Sequence, residues 1–290
     1  MSDDPDITHA FTVDVEEWFH LHSTEIAPVS EWPSLESHVE RQTDMVLAVL
    51  DDHDVRGTFF VLGWVAERYP SLVRTIAEAG HEIGCHSYHH PVIHELEPDE
   101  FDEDLERAVG AISEATGEPV ISYRAPSFSV TREMPWFFET LAKRGIEIDS
   151  SICPAVRHDG GHSGFGERTE LVDTPHGDLR EVPVSTYRIG PSRLGSLGGG
   201  YFRFFPLFLT SRQLDRMEEE ARSGVFYMHP YDIDPDQPRR RMSPTAYFRK
   251  YVGLRGAERK LNRLLDAYDF APLGEAFLAN SHPATTAAPA

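Results

Sequence analysis

Short apolar runs and amphipathic stretches alternate along the chain. The runs rich in apolar and β-forming residues occupy residues 10–15, 57–63, 81–85, 120–126, 146–151, 181–186 and 225–230. Stretches with apolar residues three or four positions apart, the spacing of an amphipathic helix, occupy residues 34–53, 71–80, 97–117, 134–145 and 211–223. Because strands that alternate with helices are typical of parallel βα units, the pattern predicts an α/β fold.

The middle and the end of the chain depart from this alternation. Residues 153–210 are rich in Gly, Pro and aromatic residues, which predicts loops and short strands rather than a separate domain. Helical spacing returns from about residue 244 to residue 268. We therefore expect residues 1–280 to form a single domain with a helical C-terminal extension from about residue 244. Residues 281–290 are predicted to be a disordered tail.

Composition narrows the class of protein. With 290 residues, of which 40% are hydrophobic, the chain can bury a full core. Its formal net charge is -21, from 48 acidic and 27 basic residues, and a field of this sign argues against nucleic-acid binding. The only lysines are Lys143, Lys250 and Lys260. A dense acidic surface with few lysines predicts a halophilic protein, because salt screens the mutual repulsion of the carboxylates.

Several features of the sequence predict a cytoplasmic location. No apolar run approaches the roughly 18 to 20 residues that a membrane span needs. The first residues lack the basic, apolar and small-residue order of a signal peptide. Cys85 and Cys153 are the only cysteines, too few for a disulfide framework and typical of a reducing compartment. Oligomeric state and peripheral membrane contact stay open.

Chemically active side chains follow the predicted strands at the point where each strand ends. They are Asp14 and Glu16, His86 and His90, Arg124, Asp149 and Ser150, and His229. Because α/β folds collect their chemistry at the C-terminal ends of their strands, we expect one site there. His86 and His90 with a carboxylate from the first strand form a ligand set that leaves a position open for water, as in hydrolytic metal sites. Zinc suits these ligands, and cobalt or nickel could occupy them.

Five short motifs carry a resemblance to a known family. They are "TVDVE", "HSYHH", "RAPSF", "DSS" and "FYMHP", in this order, from about Phe11 to Pro230. In this order they resemble the polysaccharide deacetylases with a NodB-type homology domain. With "GGGYFRFFP" and "HPYDIDPDQPR" added, the chain is similar to the subgroup associated with exopolysaccharide biosynthesis. The resemblance implies a distorted (β/α) barrel and a metal-dependent hydrolase that removes N-acetyl groups from an N-acetylated sugar of a polysaccharide or glycan precursor.

The resemblance also implies roles for individual residues. Asp14 matches the catalytic base, which takes a proton from the attacking water, and Arg124 matches the arginine that holds this base. His86 and His90 match the two histidine ligands of a divalent metal.

Three further matches concern the leaving group and the oxyanion. His229 matches the acid that protonates the leaving amine, and Asp149 matches the aspartate that tunes this acid. The backbone N–H of Ser127 matches the donor that stabilises the oxyanion together with the metal.

One departure from the family pattern affects the carboxylates. The usual pattern has two adjacent aspartates, the second of which binds metal, whereas Val15 follows Asp14 here. Because side chains two apart on a strand share a face, Glu16 is predicted to be the third metal ligand and Glu17 to lie at the surface. The reverse, with Asp14 on the metal and Glu16 as the base, stays open.

Two rival functions stay open at this point. An amidase of the same fold would open a non-sugar C–N bond, in a small closed pocket shaped by residues 153–210. A catalytically inactive module would bind glycans without cleaving them, which the departure at Val15 motivates.

Several other side chains have an ordinary structural interpretation beside a functional one. Five aromatic residues could line a sugar cleft or pack in the core: Trp18, Phe19, Tyr201, Phe202 and Phe204. Cys85 and His89 are predicted not to bind the metal. Asp232 and Asp234 are predicted to form turns. His158, Asp159 and His162 are predicted to form a solvated polar cluster in a loop.

Overall fold

The computed structural model describes residues 7–20, 27–131, 133–155, 165–190 and 192–279. The strands within these ranges are β1 (His9–Val15), β2 (Thr58–Val61), β3 (Glu82–Cys85), β4 (Ser122–Tyr123), β5 (Ile148–Asp149), β6 (Glu170–Val172), β7 (Leu179–Glu181), β8 (Thr186–Ile189), β9 (Ser192–Ser196), β10 (Val225–Met228) and β11 (Phe270–Ala271). The α-helices there are α1 (Val39–Asp52), α2 (Gly63–Arg68), α3 (Pro70–Glu78), α4 (Pro98–Thr116), α5 (Pro135–Lys143), α6 (Gly199–Phe204), α7 (Leu207–Glu219), α8 (Pro244–Tyr251) and α9 (Leu254–Leu265). The predicted loop cluster of His158, Asp159 and His162 and the predicted tail 281–290 lie outside the described residues.

One curled sheet organises the molecule. Its strand order is β10-β1-β2-β3-β4-β5-β7-β6, and β11 also pairs with β1. Neighbouring strands are parallel except for β6 and β7, which are antiparallel. Helices pack against this half-barrel, and the core between them holds fully buried side chains such as Phe59, Leu105 and Phe137. The predicted α/β fold and distorted (β/α) barrel are confirmed.

The register of the sheet brings the ends of successive strands to one edge. Val61 pairs with Cys85, Cys85 with Tyr123, Tyr123 with Asp149, and Asp149 with Glu181. Each of these residues is at the C-terminal end of its strand. Residues that directly follow the strands therefore meet along this edge, as expected for a parallel α/β sheet.

Local capping signals place several helices where the sequence predicts them. In α4, Pro98 occupies the first turn, and the side chains of Glu97 and Glu100 form a capping box with the backbone. Gly117 ends the helix with a φ of 77°, in the left-handed region that favours glycine. The predicted helix at 97–117 is therefore confirmed to within a residue at each end.

The predicted helical segment 244–268 is two helices rather than one. Gly253 separates α8 from α9 with a φ of 74°, and a Cβ atom there would lie 2.2 Å from the Arg203 carbonyl oxygen. The close approach of a distant backbone segment thus requires glycine at this position.

Residues 153–210 contain more regular structure than their composition suggests. Strands β6 and β7 extend the main sheet, β8 and β9 form a separate antiparallel pair, and α6 follows β9. Helix α7 begins at Leu207, four residues before the predicted start. Strands β6 to β9 are only three to five residues long, so local periodicity does not reveal them. Among the described residues, no helix is both long enough and apolar enough to cross a membrane.

Candidate metal centre and active site

Three side chains converge on one point beyond the ends of β1 and β3. Glu16 follows β1, and His86 and His90 follow β3. Glu16 Oε1 lies 3.1 Å from His86 Nε2 and 2.9 Å from His90 Nε2. All three residues are buried, and their candidate ligand atoms lie within 4.8 Å of one another. The fold thus brings together two imidazole nitrogens and a carboxylate oxygen that could hold one metal ion.

The surroundings of these ligand atoms fit a divalent cation. His86 Nδ1 donates to the Arg124 carbonyl oxygen at 2.7 Å, which leaves the lone pair on Nε2. His90 Nδ1 is buried and has no hydrogen-bond partner among the described residues. Burial raises the pKa of Glu16, but the charges of the neighbouring His90 and His229 outweigh burial and hold that pKa well below its usual range. An ionised carboxylate beside two imidazoles is a donor set that suits zinc, cobalt or nickel.

The backbone next to the site adopts left-handed conformations at non-glycine residues. The φ angles of Ser87, His90 and Ser127 are 64°, 57° and 56°. Each such residue costs on the order of 1 kcal/mol or more and persists only where the surrounding structure fixes it. Ser127, the predicted oxyanion donor, lies in a 3-10 turn that directly follows β4. Strain is therefore concentrated in the two loops that carry predicted site residues.

Asp14 is held by a fully buried arginine. Arg124 Nη1 donates to Asp14 Oδ1 at 2.9 Å and to Thr12 Oγ1 at 2.8 Å. The other guanidinium nitrogens of Arg124 donate to the carbonyl and hydroxyl oxygens of Ser150, at 3.2 Å and 3.1 Å. A guanidinium fixed from three sides sets the orientation of the Asp14 carboxylate. Asp14 is not part of the cluster formed by Glu16 and the two histidines.

His229 directly follows β10 and lies close to Glu16. Its Nε2 lies 3.9 Å from Glu16 Oε1, and its ring stacks on Tyr231 at 4.7 Å between centroids. Its Nδ1 lies 3.1 Å from Asp232 Oδ2. Asp232 in turn forms a 2.7 Å ion pair with Arg203, and both side chains are buried. Asp232 was predicted only to form a turn, but its side chain also orients His229. An aspartate in a turn is common, so the sequence contains no signal for this contact.

The charges around His229 favour its protonated form. Burial alone lowers the pKa of His229, but the carboxylates of Glu16 and Asp232 outweigh burial and raise it to about 8. A histidine that keeps its proton near neutral pH can act as an acid.

The structure places Asp149 elsewhere than at His229. Asp149 Oδ1 accepts a hydrogen bond from Ser151 at 2.5 Å, and no hydrogen bond or ion pair joins it to His229 within the described part of the chain. Asp149 instead shares a hydrogen bond with Glu181, its partner on β7. Burial raises the pKa of both, and burial with the Asp149 charge raises that of Glu181 well above its usual range. Both shifts favour a proton shared between Asp149 and Glu181, and the carboxylate next to His229 is Asp232.

The prediction that Glu17 lies at the surface is wrong. Glu17 is fully buried, and its carboxylate accepts hydrogen bonds from Ser37 Oγ and from the backbone N–H groups of His38 and Val39. It thereby satisfies donors at the start of α1, which need partners from outside the helix. Glu17 does point away from Glu16, as predicted from the alternation of side chains, but it points into the protein.

Most of the aromatic candidates pack in the core. Trp18, Phe19 and Phe202 are buried, whereas Phe204 is 51% exposed. Cys85 is also fully buried, and burial raises the pKa of its thiol. His89 packs against Tyr88 and Trp32. None of these side chains belongs to the ligand cluster found among the described residues.

Comparison with known proteins places this geometry in a family. Residues 34–146 match the family model for polysaccharide deacetylases, and residues 150–278 match a domain of unknown function, DUF3473. A peptidoglycan-N-acetylglucosamine deacetylase from Bacillus cereus is 26% identical over 183 residues, which are 59% of this chain and 65% of that protein. A peptidoglycan-N-acetylmuramic acid deacetylase from Bacillus subtilis is 35% identical over 91 residues, 31% of this chain and 35% of that protein. The matched regions thus span less than two thirds of either relative.

Solved structures share the fold. A Mycobacterium smegmatis protein assigned as a polysaccharide deacetylase superposes with a TM-score of 0.65 at 23% identity, covering 100% of this chain and 96% of its own. A CE4 family pseudoenzyme from Bacillus anthracis superposes with a TM-score of 0.51 at 16% identity, covering 94% and 66%. The pairing of the two matched regions is typical of exopolysaccharide-associated deacetylases. Residues 34–146 thus carry a polysaccharide deacetylase domain of the NodB type, in a chain with the half-barrel and the strand-end histidines described above.

Proposed function

We propose that this protein is a metal-dependent hydrolase that removes N-acetyl groups from an N-acetylated sugar of a polysaccharide or glycan precursor. The observation that carries the proposal is the meeting of Glu16 with His86 and His90, with His229 Nε2 3.9 Å from Glu16 Oε1 and Asp14 two residues before Glu16 on β1. Carbohydrate deacetylases among the relatives make this the favoured chemistry.

The ligand roles follow from the contacts. Glu16, His86 and His90 would hold one divalent cation, most simply zinc, with cobalt or nickel as alternatives. Such a cation would polarise the acetyl carbonyl and acidify a water molecule. Glu16 is preferred over Asp14 as the third ligand because Glu16 touches both histidines, whereas Asp14 is engaged by Arg124.

The proton transfers are assigned to two side chains, Asp14 and His229. Asp14, oriented by Arg124, takes a proton from the attacking water as that water adds to the acetyl carbon. The backbone N–H of Ser127 stabilises the negative charge that develops on the carbonyl oxygen. His229, oriented by Asp232, then gives a proton to the sugar nitrogen as the C–N bond breaks and acetate leaves.

Both matched regions contribute to one catalytic unit in this proposal. The base and the ligands come from the first part of the chain, and the acid comes from the part that matches DUF3473. We extend the proposal to a single domain, to a cytoplasmic location and to a salt-adapted surface, which rest on the sequence pattern and the charge of -21.

Acetate release is the direct test. The purified protein, loaded with Zn²⁺, Co²⁺ or Ni²⁺, is incubated with a panel of N-acetyl sugars, oligosaccharides and nucleotide-linked or lipid-linked glycan intermediates, and with cyclic imides and ureides. Acetate from one or more N-acetyl sugars, abolished by chelation and restored by metal, is the expected result. Turnover of imides or ureides alone would favour the amidase, and glycan binding without any turnover would favour an inactive module.

A further inference from the structure

An exposed aromatic surface surrounds α8. It consists of Phe204, Phe208, Tyr247 and Phe248, with Arg239 and Arg249, and we name it the α8 face. The four aromatic residues are between 43% and 65% exposed, and they are four of the six large hydrophobic residues that are exposed within the described ranges. The rings of Phe204 and Phe248 are 5.6 Å apart. Phe204 and Phe248 are therefore contiguous, and exposed aromatic groups that touch in this way mark interaction sites rather than ordinary surface.

Arginines lie close to the aromatic rings on and beside this face. The guanidinium of Arg239 lies 4.2 Å from the centre of the Tyr251 ring, which is 4.6 Å from that of Tyr247. The neighbouring Arg240 lies 4.7 Å over Trp18. Arg239 and Arg240 are nevertheless exposed, so they stay available to a partner.

The charge of this region is opposite to that of the rest of the chain. Residues 239–263 contain nine of the 27 Lys and Arg residues and one acidic residue, Glu258, although the whole chain has a net charge of -21. Seven of these nine basic residues are exposed arginines. An anionic surface would attract this region and repel the remainder of the protein, which fixes the orientation of approach.

We propose that the α8 face docks on a membrane surface that contains anionic phospholipids. Aromatic side chains beside arginines suit the interfacial layer, where rings contact the acyl boundary and guanidinium groups meet lipid phosphates. A nucleic-acid duplex would need only the charge and would leave the exposed rings unexplained. A symmetric contact with a second copy would bring like charges together.

Docking at this face would hold the candidate active site at a fixed distance from the lipid. Arg203 donates to the carbonyl oxygens of Arg249, Lys250 and Val252 and also pairs with Asp232, the partner of His229. The backbone of α8 is therefore tied to the residues that orient His229. The docking itself rests on the surface alone and does not depend on the proposed deacetylation.

Vesicle flotation tests the docking with the full chain. The probes are vesicles of phosphatidylcholine alone and of phosphatidylcholine with 30% phosphatidylglycerol. Binding is measured at about 0.1 M and at about 1 M salt, because added salt screens charge. The test variants are Phe208→Ser with Phe248→Ser, and Arg239→Gln with Arg249→Gln. The control variants are Val29→Ser with Leu194→Ser, which are 41% and 43% exposed, and Arg56→Gln with Lys143→Gln, whose side chains are 53% and 50% exposed.

The expected result is binding to the anionic vesicles that falls at least tenfold in both test variants and less than twofold in both controls. Higher salt should weaken the binding of the wild-type chain, and circular dichroism should show that the variants fold. Failure of the wild-type chain to float with anionic vesicles, or equal flotation of test and control variants, overturns the proposal. It is also overturned if Phe248→Ser abolishes self-association in the absence of lipid, or if DNA or an acidic polysaccharide binds this face while vesicles do not. Acetate release from soluble sugars by the Phe208→Ser, Phe248→Ser variant separates this outcome from failure of the proposed function.

Discussion

The two sides of the candidate site are held in place by different kinds of structure. On the ligand side, Asp14, Glu16 and His86 lie at or just beyond the ends of β1 and β3, the two parallel strands that flank β2, so the register of the sheet brings them together. On the acid side, His229 depends on Asp232, and Asp232 on Arg203. Arg203 is in turn fixed by backbone carbonyls almost 50 residues away. The ligand side is thus specified by short motifs, and the acid side by long-range contacts between buried charges.

The largest expected effects on activity come from the two carboxylates of the ligand side, and they distinguish the catalytic base from the metal ligand. Asp14→Asn keeps the shape but cannot accept a proton, so acetate release should fall by roughly 10² to 10⁴ while the protein still binds metal. Glu16→Gln weakens a ligand, so a similar loss of activity should come with loss of metal, partly restored by excess metal. Metal content by mass spectrometry and turnover on the same preparations check both. The control is Glu17→Gln, which changes the buried carboxylate that follows Glu16 in sequence. This variant should keep both its metal and its turnover.

The reverse outcome would exchange the two roles. If Asp14→Asn loses metal while Glu16→Gln keeps it, Asp14 is the ligand and Glu16 the base. If both variants keep their metal and full turnover, neither Asp14 nor Glu16 has the catalytic role proposed for it.

The acid side can be tested by changing Arg203, which does not contact the substrate in the proposed mechanism. Arg203→Ala leaves Asp232 buried without its partner, which should cost about 3–5 kcal/mol of the free energy of unfolding. A disordered Asp232 no longer orients His229, so turnover should fall by roughly ten-fold or more for amides, which need a protonated leaving group. An aryl acetate ester, with its good leaving group, should lose much less. The ratio of amide to ester turnover, with Arg203→Lys as a partial rescue, measures this effect.

Lys260 supplies the matched control for Arg203. Lys260 Nζ donates to the carbonyl oxygens of Phe202, Arg203 and Phe205, so it anchors α6 without touching Asp232. Lys260→Ala should lower the thermal midpoint and leave the ratio of amide to ester turnover unchanged. An equal change of that ratio in both variants would mean that Arg203 acts through general stability alone.

The pH profile sharpens the same comparison. The pKa of His229 is raised to about 8, so its proton is present at lower pH and is lost as the pH rises through that value. Amide turnover should therefore decline on the alkaline side. Asp232→Asn removes a carboxylate that raises this pKa, so the decline should move to lower pH. A bound cation would offset the effect of the Glu16 charge on the pKa of His229, but not the effect of Asp232. If the alkaline decline of amide turnover occurs at the same pH in Asp232→Asn as in the wild-type chain, the assignment of His229 as the acid is contradicted.

The smallest expected effect concerns the uneven charge of the two regions. The net charge of -21 repels itself until salt screens it, so the thermal midpoint should rise from low salt to molar salt. A scan of the melting midpoint across that series tests the salt-adapted surface, and a midpoint that stays flat or falls would contradict it. Because residues 239–263 carry the opposite charge, Arg249→Gln should make the midpoint at low salt slightly lower than that of the wild-type chain.

Particular residues show how far sequence reasoning reached and where it stopped. The parallel α/β fold, the ends of α4 and the grouping of Glu16 with His86 and His90 were all predictable, because periodicity, caps and strand ends are local signals. Glu17 was misplaced because alternation along a strand says which way a side chain points, but not that α1 begins there. Elements such as β6 and the β8–β9 pair were missed because strands of three to five residues are too short to show a clear alternation of apolar and polar positions.

The sequence by itself determined which chemical groups stand at the strand ends, since alternation of strands and helices puts His86, His90 and Asp14 at one edge of a parallel sheet. Only the tertiary structure decided which partner each carboxylate contacts. Glu16 meets the histidines, Arg124 takes Asp14, and Asp232 rather than Asp149 stands beside His229. The first two pairings join buried charges from segments distant along the chain, and Asp232, three residues from His229, is itself paired with the distant Arg203. A buried charge is stable only where the whole fold supplies its partner.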